Sequence, residues 1–389
     1  MIGTPSMTMK PPEIAWSRAH NFVLGLNSLQ QGDSNEQPVY QGCKAIHNIN
    51  TELETVIIDN HAFPLTRNET DYDNSYVCSP YTAYIRYARD ELGLLKSRKL
   101  RWLMRGVIVM AAGLLRLGKI NQTVSVNNWL FSTNPLPKWQ DKTVKALTQK
   151  LIQSNPQHSL SIRSLNCETD GALMQHLAAN GWIMLPARQV YLFLPDEKGE
   201  NPPWWKRNNV QNDQRLLRKT PLKRVEPNQH QAQDFVEIER CFNQLFIEKH
   251  SAFNPQFSAE YFKFLHQQKL VEFYSYRDET GRIVASLGMF TQHGVLTAPI
   301  VGYDTHLPKS LGLYRLLMAT LLELTRERNL PLNLSSGAGH FKRQRGGQAV
   351  IEYTALYVRH LPWNQRWIQN GFAKLLNRFA ADFLQKHEL

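Results

Sequence analysis

Residues 332–358 read LNLSSGAGHFKRQRGGQAVIEYTALYV, a stretch that joins an apolar strand, a turn of small residues, a basic segment and a second strand. Leu332 and Leu334 alternate with Asn333 and Ser335, the two-residue period of a half-buried strand. Ser335-Ser336-Gly337-Ala338-Gly339 then carries almost no side-chain bulk, as expected where backbone must meet a ligand closely. Phe341, Lys342, Arg343, Arg345 and Gly346-Gly347 follow, fixed positive charges beside expected open amides. A phosphate or a developing oxyanion suits such a place. The competing reading is a solvated basic turn between two core strands, so the rest of the chain has to decide.

The same order of elements occurs earlier. Leu136-Pro137-Lys138 and Leu307-Pro308-Lys309 each follow a predicted strand, 124–132 and 295–303, and each precede an amphipathic helix and another strand, 160–165 and 332–336. Leu313, Leu316, Leu317, Thr320, Leu321 and Leu324 give the second helix one apolar face, and Val144, Leu147, Leu151 and Ile152 give the first its own. Ser164 and Ser335 stand at the same distance from their tripeptides. This order and spacing predict a tandem duplication. The first copy continues as a helix over 170–181, capped by Asp170, and a strand over 190–194. Where the second copy has its basic segment, the first has Cys167, Glu168, Thr169 and Asp170, so chemistry is expected in the second copy alone.

Asn201-Pro202-Pro203 breaks the chain between the copies, and 204–220 is a basic helix candidate that bridges them. The second copy opens with helices over 233–249 and 258–267 and a strand pair over 271–277 and 283–290. Residues 1–40, rich in Gln, Asn, Ser and Pro, are expected as a loosely attached lead-in with a weak helical signal over 14–29. The expected division is 1–40, a first lobe 41–198, a bridge 199–230 and a second lobe 231–389. The fold class is α/β, two lobes each with a mixed central sheet flanked by helices.

The composition is that of a folded chain, with 42% hydrophobic and 20% charged residues in 389. Lys and Arg outnumber Asp and Glu by 45 to 33, a net charge of +12 that favours polyanionic partners. Seven basic residues and no acid lie in 96–119, and eight basic residues face only Glu200 and Asp213 in 198–224. Cys43, Cys78, Cys167 and Cys241 are scattered, which signals neither a zinc site nor a disulfide framework, so no metal and a cytoplasmic location are expected. The apolar run 107–115 is too short to span a bilayer, and MIGTPSMTMKPPE lacks a signal core, although Arg101, Arg105 and Arg116 suit an anionic surface.

The element order, with strand 295–303 followed by a turn and a helix, resembles the GNAT acyltransferase fold. The tandem pair with its bridge, together with SSGAGHFKRQRG followed by EYTALY, is similar to the Fem-type and BioF-like subgroup. That resemblance implies two GNAT-like lobes and an N-acyltransferase in which an amine attacks an activated acyl group directly, with no covalent intermediate. It implies acyl-CoA as co-substrate, or an aminoacyl-tRNA as in Fem-type enzymes, and a small-molecule or peptide amine as acceptor. GNAT enzymes that bind CoA show Q/R-x-x-G-x-G/A at the head of the helix; here stands Lys309-Ser310-Leu311-Gly312-Leu313-Tyr314, with Tyr314 in place of the small final residue.

The resemblance makes Lys342, beside Phe341, the first candidate for oxyanion or phosphate contact. Glu352 is a candidate base or the salt-bridge partner of Arg343 and Arg345, His340 a loop histidine of suitable pKa, and Tyr314 a proton donor to the leaving group. Donor binding is expected from Tyr303, Asp304, Lys309, Gly312, Ser335, Gly337, Gly339, Phe341, Arg343 and Arg345. Glu248, Lys249 and His250 form a second polar cluster facing the acceptor. Lys206, Arg207, Arg215, Arg218 and Lys219 are the nucleic-acid contacts if the donor is a tRNA, with Trp204 and Trp205 either stacking on bases or packing between the lobes. The non-enzymatic alternative is a nucleic-acid or anionic-surface binding protein on the same scaffold.

Overall fold

The segment IVASLGMFTQ is buried at nine of its ten positions, as befits a strand covered on both faces. In the computed structural model, which describes residues 11–31, 45–94, 97–196, 198 and 201–387, it is one of eleven strands. They are β1 (Glu52–Ile58), β2 (His61–Asn68), β3 (Thr123–Val126), β4 (Ser159–Asn166), β5 (Ile183–Phe193), β6 (Lys223–Val225), β7 (Glu272–Arg277), β8 (Ile283–Gln292), β9 (Val295–Tyr303), β10 (Leu332–Asn333) and β11 (Gln348–Tyr357). The helices are α1 (Pro11–Gln31), α2 (Tyr87–Glu91), α3 (Arg98–Leu117), α4 (Asp141–Ser154), α5 (Cys167–Ala179), α6 (Asn208–Lys219), α7 (Asp234–Phe242), α8 (Ala259–Gln267), α9 (Leu313–Arg328), α10 (Gly339–Gln344) and α11 (Trp363–His387).

All the strands join one sheet in the order β1-β2-β3-β4-β11-β5-β10-β9-β8-β7-β6. Only β3–β4 and β9–β10 are parallel. The order is nearly symmetric about the β11–β5 pair. β5 leaves the first half to pair with β10, and β11 leaves the second half to pair with β4. The two halves therefore trade a strand, and the sheet runs through both without a break.

Helices cover both faces. On one face of the second half Phe273, Phe290 and Ile300 pack with Phe22 of α1, Phe242 of α7 and Phe262 of α8. On the other, Leu287, Met289 and Val301 pack with Leu316, Leu317 and Leu321 of α9. In the first half Val124, Ile162 and Leu165 pack with Val144, Leu147 and Leu151 of α4, the face its spacing predicts.

Several expectations are corrected. The strand predicted over 124–132 stops at Val126, and the chain turns back through Asn127 and Leu130, both with positive φ, to bury Trp129, Leu130 and Phe131 completely. Helix α5 begins three residues early because Asn166, not Asp170, is its cap, its side chain accepting from the Glu168 and Thr169 N–H groups. Where a loose lead-in was expected, residues 11–31 form α1, with Phe22 and Leu26 fully buried; 1–10 and 32–40 lie outside the described residues, as does Cys43. The matched serines hold: Ser164 and Ser335 both adopt positive φ, 69° and 55°.

Candidate active site

β9 and β10 stay paired for only two residue pairs, Leu332 with Leu296 and Asn333 with Thr297. β9 then runs on to Tyr303, while the second chain swings away at Leu334. Among the described strands none covers that side of β9 beyond Thr297, so its backbone amides face an open wedge. Three aromatic side chains border it: the Tyr303 and Tyr314 rings lie 6.2 Å apart and those of Tyr314 and Phe341 5.0 Å. Burial pushes the Tyr314 phenol up to about 12, so it remains a neutral hydrogen-bond donor at neutral pH. Lys249 Nζ lies 3.5 Å from the Tyr303 hydroxyl, which brings the exposed Glu248-Lys249-His250 cluster to the wedge mouth. Partial desolvation of its ring and the Lys249 charge hold His250 below the ordinary histidine pKa.

The first turn of α9 faces the same end of β9. Gly312 caps it with φ 63°, and a Cβ there would sit 2.8 Å from a Leu216 methyl, so the position needs glycine twice over. The N–H groups of Leu313, Tyr314 and Arg315 have no intrahelical acceptor, the ordinary condition of a first turn. With the exposed Lys309 beside them they suit a phosphate.

The basic segment is not the open knot that its composition suggested. Residues 339–344 wind into α10, and Lys342 turns inward to 3% exposure. Its Nζ donates to the carbonyls of Leu334, Ser335 and Ser336 at 2.8, 3.2 and 2.8 Å, all three on the turn where the wedge opens. Burial, reinforced by the Arg188 charge, pushes its pKa down to about 7. Gly346 and Gly347 do not offer free amides either, since their N–H groups bond to the Arg343 and Lys342 carbonyls. A Cβ on Gly346 would meet Trp204, and one on Gly347 would meet Phe193. The glycines are there for close packing.

Arg345 is buried too. Its Nε donates to Asp213 Oδ2 at 2.6 Å and its guanidinium lies 3.3 Å over the Phe341 ring. Asp213 also accepts from Arg315 Nε at 2.7 Å, so one buried carboxylate on α6 ties the first turn of α9 to the end of α10. Arg343 donates to the Tyr191 hydroxyl at 3.0 Å, and Lys342 Nζ lies 5.4 Å from the Tyr191 ring centroid.

Other predicted residues are placed elsewhere. Asp304 is buried between Arg240 and Arg282, 2.9 and 2.7 Å away. Burial opposes its ionisation, but the His306 N–H, Arg240 and Arg282 outweigh it and hold the carboxyl below its usual range. Glu352 pairs with Arg188 of β5 at 2.8 Å, not with Arg343 or Arg345, because the strand exchange sets β11 beside β5. His340 is exposed and bonds to Gln344 at 2.8 Å. Gly337 is exposed with φ 79°, and Gly339 starts α10. Lys206, Arg207, Arg215, Arg218 and Lys219 are all exposed along the bridge. Trp204 is buried, its indole N–H donating to Leu194 O at 2.7 Å, so it packs between the halves.

Arg188, Tyr191 and Asp213 were missed in the sequence reading. The first two lie on β5, whose partner across the exchange is invisible in a strand pattern. Asp213 had a signal: with Glu200, it is one of only two acids in a strongly basic segment, and an isolated acid there marks a buried ion pair.

Residues 206–343 match the family model of the acetyltransferase (GNAT) domain. No curated protein matches the chain. Similar solved structures include the C-terminal domain of a putative lysylphosphatidylglycerol synthetase from Agrobacterium fabrum, with TM-score 0.44 and 12% identity over 63% of this chain and 86% of that one. FemX gives 0.43 and 10% over 59% and 79%. A tandem GNAT protein of the clavulanic acid biosynthesis pathway gives 0.35 and 11% over 60% and 75%. The matched segment, 206–343, holds α6, the β9–β10 wedge and nearly all of α10, so the part of the chain that carries the candidate site is the part similar to acetyltransferase (GNAT) domains.

Proposed function

We propose that the protein is an N-acyltransferase: an amine attacks an acyl thioester of the CoA type directly, within a ternary complex in the half that spans 231–389. The observation that carries this reading is the wedge between β9 and β10, closed at its base by two residue pairs and lined by Tyr303, Tyr314 and Phe341. Open β9 amides suit the oxyanion of a tetrahedral intermediate. The first turn of α9, with Lys309 and Gly312, takes the donor's phosphates. His250 takes a proton from the acceptor's ammonium so that the free amine can attack, and Tyr314 donates to the departing thiolate as the C–S bond breaks. Lys342 acts through the turn it holds, as a positioning residue, and Glu352 acts through Arg188.

The exposed bridge residues Lys206, Arg207, Arg215, Arg218 and Lys219 favour a second reading, in which the acyl group arrives on a tRNA. Thermal melts against a panel of acyl-CoA thioesters, alongside binding of charged tRNA over a salt series, separate the two. A rise in Tm with acyl-CoA and no tRNA binding is expected. Tight, steeply salt-dependent tRNA binding without a CoA effect would replace the donor, and neither response would overturn the transferase reading.

A further inference from the structure

Helix α3 buries one face through Ile108 and Leu115 and leaves another uncovered. Trp102, Leu103, Val109, Met110, Leu114 and Leu117 range from 52% to 75% exposed. At about 100° of rotation per residue these six fall within an arc of roughly 140°, and Arg98, Arg101, Arg105 and Arg116 fall together along one border of it. The arginine border continues into neighbouring clefts: one is lined by Arg89, Asp90, Arg101, Trp102 and Arg105, another by Arg86, Arg89, Arg105 and Arg116. Helix α11 joins at the C-terminal end of α3, where Gln369 Nε2 donates to Gly118 O at 2.8 Å and Ile368 lies against Gly118. There Trp363 and Trp367, one turn apart, are 75% and 72% exposed. Residues 362–378 add Arg366, Lys374 and Arg378 and contain no acid.

We propose that α3 and the first turns of α11 dock the protein on the surface of an anionic phospholipid bilayer. An apolar stripe bordered by guanidinium groups is the pattern of a helix that lies in the plane of a membrane interface. The leucines and Met110 enter the acyl boundary, the tryptophans sit at headgroup depth, and the arginines take lipid phosphates. The contact is peripheral: among the described residues no helix is long and apolar enough to cross a membrane. Charge decides between a bilayer and a second copy of the chain. Face-to-face packing of two copies would oppose two rows of arginines with no acid in residues 96–119 to relieve them, whereas an anionic bilayer supplies both the apolar layer and the counter-charge.

The test is flotation of the full-length protein with phosphatidylcholine vesicles and with vesicles in which about one lipid in three is phosphatidylglycerol. The bound fraction should be roughly ten-fold or more higher on the anionic vesicles and should fall as salt is added. Met110→Glu/Leu114→Glu and Arg98→Glu/Arg105→Glu, all at exposed positions, should each reduce it by a similar factor with Tm unchanged. Absent flotation, equal binding to both vesicles, or binding indifferent to these variants would overturn the proposal. So would a dimer in solution that Met110→Glu/Leu114→Glu dissolves, which would give the face to a second copy. None of these readouts depends on acyl transfer, so the lipid proposal and the transferase reading fail separately.

Discussion

Lys342 shows how far a residue's chemistry can depart from its place in a sequence. Read in line, it is one of three charges after a glycine-rich turn; folded, it is a buried amine that donates to three carbonyls. With its pKa at about 7, the folded lysine is neutral above that pH while the unfolded one keeps its proton until near 10.5. Unfolding therefore takes up a proton in that window, and stability climbs with pH there by at most about 1.4 kcal/mol per unit. Below pH 7 that gain is absent. Urea midpoints of Lys342→Met, measured from pH 6 to 9, should lose this slope. His250→Gln should lower kcat/KM by about 100-fold and remove the acid limb of the pH profile while leaving Tm in place. Glu352→Gln leaves Arg188 without its buried counter-charge and should cost about 3 kcal/mol in urea unfolding; a fall in kcat at unchanged stability would instead return Glu352 to the chemistry. Residue types were legible in the sequence, but burial was not: nothing in FKRQRGG distinguishes Lys342 and Arg345, which turn inward, from a solvated basic turn.

Among the elements, those with strong periodicity were the legible ones. Strand β9 and helix α9 lie where the apolar spacing put them, because each is long enough for its pattern to repeat. Residues 335–339 read as a bare turn and 341–345 as a basic segment after it, whereas 339–344 form a helix fixed by side-chain bonds from Lys342 and Arg345. The over-long prediction for β3 failed for a related reason: Trp129, Leu130 and Phe131 are apolar enough for a strand, yet Asn127 and Leu130 take left-handed backbone and fold them into the core. α6, expected as a simple bridge, is a clamp. Asp213→Asn should free α9 and α10 from each other, lower stability by about 3 kcal/mol and raise KM for the donor more than it lowers kcat. Equal effects on both constants would mean that the clamp does not set the phosphate end of the site.

At the scale of the molecule, the tandem order of elements was legible, and the exchange of β5 and β11 was not. Alternating burial tells which face of a strand is inside, but not which neighbour it pairs with. The exchange means that the halves are not separable units. Residues 45–196 alone would lack the strand between β4 and β5, and residues 201–387 alone would lack the strand between β10 and β11. Neither fragment should show a cooperative thermal transition, while the two mixed together should recover one, followed by circular dichroism. The same feature sets a timetable during synthesis. β4 and β5 leave the ribosome with the gap between them unfilled, and β11 follows about 150 residues later, a delay of roughly eight to thirty seconds at ordinary elongation rates. For most of that interval three strand edges stay unpaired, the β11 side of β4 and both sides of β5. A chaperone that shields them, or a pause in translation that lengthens the wait, would change the yield of native protein without touching any residue of the site.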